Sequence, residues 1–187
     1  LHSVSPTSKT KINQQDLHIN NDWSIDEYHE AYIEDNTIYL GGDLLCSGTF
    51  NSNSTASTTD ARQLVMSGSS NTQTIYNKFG SGIDLYNLRI AKNGGIVQLG
   101  IDNSNVFVRN ILEFGGSNSA YIDAATNSKT ITMQPVGSGT TQILRNGLGH
   151  VWGELRRYFP TGANTRFFAV GADTISSYRP VTISTVG

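Results

Sequence analysis

The stretch "GIDLYNLRIAKNGGIVQLG" at 82–100 decides the fold class. Ile83, Leu85, Leu88 and Ile90 fall in one apolar run and Ile96, Val97 and Leu99 in the next, with Asn93, Gly94 and Gly95 between them. Each run is short and partly alternates apolar with polar residues, as a strand with one buried face does. Asn and Gly tolerate left-handed backbone, so the break reads as a turn. The unit recurs downstream. "NLRIAKNGG" at 87–95, "NVFVRNILEFGGS" at 105–117 and "KTITMQPVGSG" at 129–139 each set an apolar strand before a Gly corner. Upstream, "NTIYLGGDLLCSGTF" at 36–50 and "ARQLVMSGSSNTQTIYN" at 61–77 repeat the idea. A recurrence of roughly twenty residues favours stacked rungs over a sandwich of hairpins with two-residue turns. The expected fold is all-β: a right-handed parallel β-helix (solenoid) over 37–149. An irregular or mixed lead-in or cap precedes it at 1–36, and 150–187 forms a C-terminal β module, the start of a β-sandwich-like segment. The stacked apolar positions should form one core column.

Composition narrows the function. Charged residues make up 15% of the 187 and the net charge is -2. Disordered chains of low hydrophobicity usually carry a high net charge and few β-branched or aromatic residues, whereas here Ile, Val, Tyr and Phe recur in clusters. A near-neutral chain lacks the basic face that nucleic acid requires, so no nucleic-acid partner is expected. No apolar run reaches the roughly 18 residues of a membrane span, so no membrane insertion is expected. The chain starts at Leu1 without Met and reads as a processed or excised piece. Cys46 is the single cysteine, which excludes an internal disulfide and reads as a small buried hydrophobe. The acidic aromatic cluster "DWSIDEYHEAYIED" at 22–35 reads as strand or mixed structure.

The last residues differ in texture. "GHVWGELRRYFPTGANTRFFAVGADTISSYRPVTISTVG" at 149–187 has a tight turn at Pro160, Thr161 and Gly162 between β-like runs at 151–159, 165–170 and 178–186. Its pattern runs through Val151, Gly153, Leu155, Arg156, Arg157, Tyr158, Pro160, Thr161 and Gly162. It continues through Phe168, Val170, Gly171, Tyr178, Arg179, Pro180, Val181, Thr182 and Ile183. This pattern resembles a module of large secreted surface proteins of Bacteroidota, many of them exported by the type IX secretion system. The strand-rich stretch before it resembles the repeats that precede the module, so the likeness covers about residues 60–187. The resemblance implies export across both membranes and display at the cell surface or release from it. It implies an adhesin, or part of a long filament in adhesion or gliding motility. Partners implied are secretion-system transport proteins and a glycan or other surface ligand.

No catalytic, cofactor-binding or metal-binding residue is assigned from the residues themselves. Asp84, Asp102 and Asp123 recur at near-rung spacing and could stack to hold calcium, but carboxylates at corners are ordinary turn residues. His29 has Asp26, Glu27 and Glu30 nearby, while His2, His18 and His150 are scattered, and no zinc-ligand spacing is present. Arg156 and Arg157 are neighbours on a predicted strand and point to opposite faces; the expectation is one paired with Glu154 or Asp173 and the other solvated. Glu113 with Asp123 is a carboxylate pair without the cleft that glycosidase chemistry needs. "GSGTT" at 137–141 is a turn and not a phosphate cradle. Trp23, Trp152, Tyr28, Tyr32 and Tyr158 are expected in aromatic packing, with sugar stacking the alternative if exposed. Thr174, within Asp173, Thr174 and Ile175, fits a short O-glycosylation sequon of that phylum. The reading is a non-catalytic structural or adhesive module without cofactors. The alternative is a polysaccharide-active β-helix enzyme, a lyase or hydrolase.

Overall fold

A computed structural model describes residues 8–12, 15–51, 62–115, 120–136 and 139–186. The chain coils so that each turn lays one strand on each of three faces. The first turn holds β1 (Ser8–Ile12), β2 (Leu17–Ile19) and β3 (Trp23–Ile25). The second holds β4 (His29–Ile33), β5 (Thr37–Leu40) and β6 (Leu44–Cys46), and the third β7 (Thr49–Asn51), β8 (Gln63–Met66) and β9 (Thr72–Asn77). In the next two turns one long strand covers two faces: β10 (Ile83–Ile90) is followed by β11 (Ile96–Asp102), and β12 (Val106–Phe114) by β13 (Tyr121–Asp123). The coil continues through β14 (Thr130–Met133), β15 (Gln142–Arg145) and β16 (Val151–Trp152), then β17 (Glu154–Arg157). It ends with β18 (Asn164–Phe168), β19 (Val170–Gly171) and β20 (Val181–Thr185).

The stacked pairs are parallel. The first and second faces form one 11-stranded sheet and the third a seven-stranded sheet, β19-β16-β13-β11-β9-β6-β3. β18 and β20 pair antiparallel outside the coil. The all-β, parallel solenoid expected from the sequence is thus the observed fold.

Parallel in-register stacking places equivalent side chains one above the next, and alternation along each strand sends every second one inward. On the second face Ile38, Leu64, Leu88 and Leu112 form one inward ladder. On the first face Leu85, Val108 and Met133 form another, and on the third Val97, Ile122 and Val151. All ten are fully buried. Burying each is worth roughly 1.5–3 kcal/mol, so the ladders carry the stability of the coil.

Three differences from the sequence reading have physical causes. The rung is longer than twenty residues: Leu64, Leu88 and Leu112 are in register about 24 apart, because one turn must hold three strands and three corners. The coil also begins before residue 37. Ile25, Ala31 and Ile33 are buried in it, and the polar members of the acidic aromatic cluster turn outward. It likewise passes residue 149, since β16, β17 and β19 extend the same sheets; the β-sandwich-like part reduces to the β18/β20 pair.

At two corners, buried asparagines tie neighbouring turns together. Asn87 Oδ1 accepts from Asn110 Nδ2 at 3.0 Å and from the Ile111 amide at 3.1 Å, at the bend where β10 and β12 pass from first face to second. Asn77 donates to the Phe79 and Asn103 carbonyls where the third face returns to the first. A buried amide costs free energy unless hydrogen-bonded, so these ties fix how the corners stack.

Candidate functional site

The corner between the second and third faces is stripped of large side chains. At Gly68 a Cβ would run into the Gly41 carbonyl of the turn before, and at Gly95, where φ is +82°, into the Asn71 carbonyl. Only glycine allows the successive corners to approach so closely. The result is a surface groove crossing the turns. One recess of about 250 Å³ is lined by His18, Ile19, Asn20, Tyr39, Gly41 and Ser67–Ser69. A second of about 260 Å³ is lined by Ser67–Asn71, Ala91 and Asn93–Gly95. They share Ser67, Gly68 and Ser69, which makes them one groove.

Its aromatic wall follows from strand register. His18 of β2 stands against Tyr39 of β5, both facing outward, with ring centroids 4.4 Å apart and planes within 3°. Its floor is tied from below. Lys92 is buried and donates from Nζ to the Gly68 carbonyl at 3.1 Å, the Ser70 carbonyl at 2.9 Å and Gln73 Oε1 at 3.3 Å. Gln73 Nε2 donates to the Leu40 and Gly42 carbonyls, and its Oε1 accepts from the Gly68 amide. Burial pushes the Lys92 ammonium below the usual lysine range, against the smaller opposing pull of Asp43. The side chains of Asn20, Ser69 and Asn71 make no hydrogen bond to the described residues. The groove therefore offers the edges of a stacked ring pair beside free amide and hydroxyl groups on a fixed floor.

No protein-family model, no curated protein and no solved structure matches this chain.

The residues singled out in the sequence are dispersed. Asp84 is on the first face, in a two-point pair with Arg109 at 2.8 and 2.5 Å. Asp102, at φ +62°, accepts from the Tyr76 hydroxyl at 2.7 Å, and Asp123 is buried, accepting from Gln98 and the Thr126 amide. Asp123 stands in register with Gln98, not Asp102, so the three carboxylates do not stack. No group of three His, Cys, Asp or Glu able to hold a metal occurs among the described residues. Glu113 pairs with Arg89 at 3.4 Å on the second face and Asp123 lies on the third, so they share no cleft.

Arg156 is exposed and donates to Glu154 at 2.7 Å, which holds that carboxyl below its ordinary range. Arg157 is not solvated as expected. It points into the end of the coil and donates to the Phe167 and Thr141 carbonyls at 2.5 and 2.6 Å. Burial, reinforced by nearby Arg166, lowers its guanidinium to about 10, so it stays charged at neutral pH.

His29, with Asp26 and Glu30, lines a separate recess beside Trp23, and Trp23 packs edge-on against Phe50. His150 is buried against the Tyr121 ring, with its two ring nitrogens each 2.9 Å from the Leu148 and Ala172 carbonyls. Cys46 is buried, its thiol directed at the Gly48 carbonyl and pushed up by burial. Tyr32 donates to Glu30, Trp152 is half-buried, and Tyr28 and Tyr158 are exposed. Thr174 is exposed before a single 3-10 turn, Ile175–Ser177. In "GSGTT", Thr141 is buried against Arg157, while residues 137–138 and His2 lie outside the described residues.

Sequence reasoning missed the groove. Its glycines, serines and asparagines were legible as corners, but His18 and Tyr39 are 21 residues apart and meet only through strand pairing.

Proposed function

We propose that this chain is a non-catalytic structural and adhesive module of a bacterial cell-surface protein, exported by the type IX secretion system. The observation that carries the reading is the segment from Val151 to Ile183. Its "GELRRYFPTG" and "YRPVTI" stretches resemble the surface-protein module described above. Supporting it, a stacked solenoid presents a long, rigid side on which a surface can be met, as repeat architectures do. Carboxylates on the first and second faces are also engaged locally: Asp84 with Arg109, Glu113 with Arg89, Glu154 with Arg156. In this reading the partners are the transport proteins of the secretion apparatus and, outside, a surface ligand.

The test is antibody labelling of intact cells that produce the protein, with and without a working type IX apparatus. Surface labelling that disappears when the apparatus is inactivated, with the protein then held inside the cell envelope, is the expected result. Retention in the cytoplasm of wild-type cells would overturn the proposal.

A further inference from the structure

We infer that the groove across the corner of the second and third faces binds a neutral polysaccharide, laid along the solenoid axis. The inference rests on the adhesive reading and names its ligand class. Three observations carry it. First, the groove is continuous over successive turns, which parallel stacking spaces by about 4.8 Å. An extended polymer can then meet groups on several turns, where a compact ligand would use one. Second, the His18/Tyr39 stack has its ring faces against each other, so it lines the groove with ring edges and brings an imidazole and a phenol hydroxyl to sugar hydroxyls. Beside it, Asn20, Ser69 and Asn71 hold donors and acceptors that no described residue satisfies. Third, among the described residues no carboxylate, lysine or arginine side chain lines either recess. The cation beneath, Lys92, is buried and saturated by two carbonyls and an amide oxygen. A lining of hydroxyls and amides suits hydroxyl-rich neutral chains and gives uronic-acid chains no ion pair.

The floor also matters to affinity. Lys92 holds the Gly68 and Ser70 carbonyls from below and Gln73 accepts from the Gly68 amide, so the groove is set before the ligand arrives and little ordering is needed on binding.

The experiment is affinity electrophoresis of the purified chain through gels containing dextran, mannan, xylan, laminarin or hydroxyethylcellulose. Alginate and polygalacturonate serve as acidic comparisons. Retardation by at least one neutral polymer and none by the acidic ones is expected. His18→Ala and Asn71→Ala should each weaken that binding by about tenfold, the equivalent of one lost contact of about 1.4 kcal/mol, with unchanged melting temperatures. Ser69→Trp, which fills the point shared by both recesses, should abolish binding, and Tyr158→Ala, away from the groove, should leave it intact. If one variant fails to fold, the other two decide. No retardation by any neutral polymer, retardation by acidic polymers alone, or binding indifferent to all folded groove variants would overturn the inference. Cell-surface labelling reports separately: binding lost with labelling intact removes the glycan inference alone, and labelling lost with binding intact removes the surface reading.

Discussion

The middle of the solenoid and its C-terminal end use the same register to opposite ends. In the middle, Leu40, Met66, Ile90 and Phe114 stack inward on the second face, and Leu85, Val108 and Met133 on the first. One turn further, the same two positions are Arg145 and Arg157. Arg145 lies over the Tyr178 ring, 3.8 Å from its centroid, and Arg157 reaches the Thr141 and Phe167 carbonyls. An apolar ladder has no natural stop, and its last rung would expose a bare apolar face. Arginine closes it because the aliphatic stem continues the core while the guanidinium meets carbonyls and aromatic faces at the rim. The difference teaches that this coil ends by substitution within the ladder, with the β18/β20 ribbon packed near the arginines.

The comparison can be broken by moving charge between the two regions. Val108→Asp places an unpaired carboxylate in the middle ladder and should cost about 4 kcal/mol or more, enough to abolish cooperative unfolding in a urea titration. Ile90→Asp should do the same. At the end of the coil, Arg157→Ala should cost about 2 kcal/mol through the loss of charged hydrogen bonds to two carbonyls, while its exposed neighbour Arg156→Ala should leave the urea midpoint unmoved. Equal effects from the two arginines would break the distinction drawn between them.

Smaller effects sharpen the account of the corners. Gly95→Ala should cost about 1–2 kcal/mol, since φ is +82° and the new methyl would meet the Asn71 carbonyl. Gly94→Ala, at φ +118° with open space around it, should suffer the backbone strain alone and so cost less. The partly buried Asp84–Arg109 pair is worth less still: Asp84→Asn should lower stability by about 0.5–1 kcal/mol, an effect weakened by salt. The smallest expected effect is none. Because Asp84, Asp102 and Asp123 do not converge, millimolar calcium or chelator should leave the melting curve in place; a rise with calcium would show a site that this arrangement lacks.

The sequence by itself determined the class of fold. Short apolar runs such as those at 83–90 and 96–99, separated by Asn and Gly, can bury one face only by stacking on copies of themselves. The recurrence along the chain made a parallel solenoid the economical arrangement. It also determined that Arg156 and Arg157 oppose each other, because side chains alternate along any strand. What only the tertiary structure decided depends on register. A sequence interval says that strands stack but not which residue lies over which, and corner insertions such as the one between Leu112 and Ile143 shift that alignment. So Asp84 falls on the first face while Asp102 and Asp123, both on the third, miss each other in register, and His18 and Tyr39, which no motif joins, become a stacked pair. Arg157 turned inward for the same reason: its position in the strand was readable, but that the ladder above it was apolar and its end needed closing was not. The groove is the clearest case. Its Gly, Ser and Asn residues are ordinary turn formers one corner at a time, and they become a surface only when the coil lays the corners side by side.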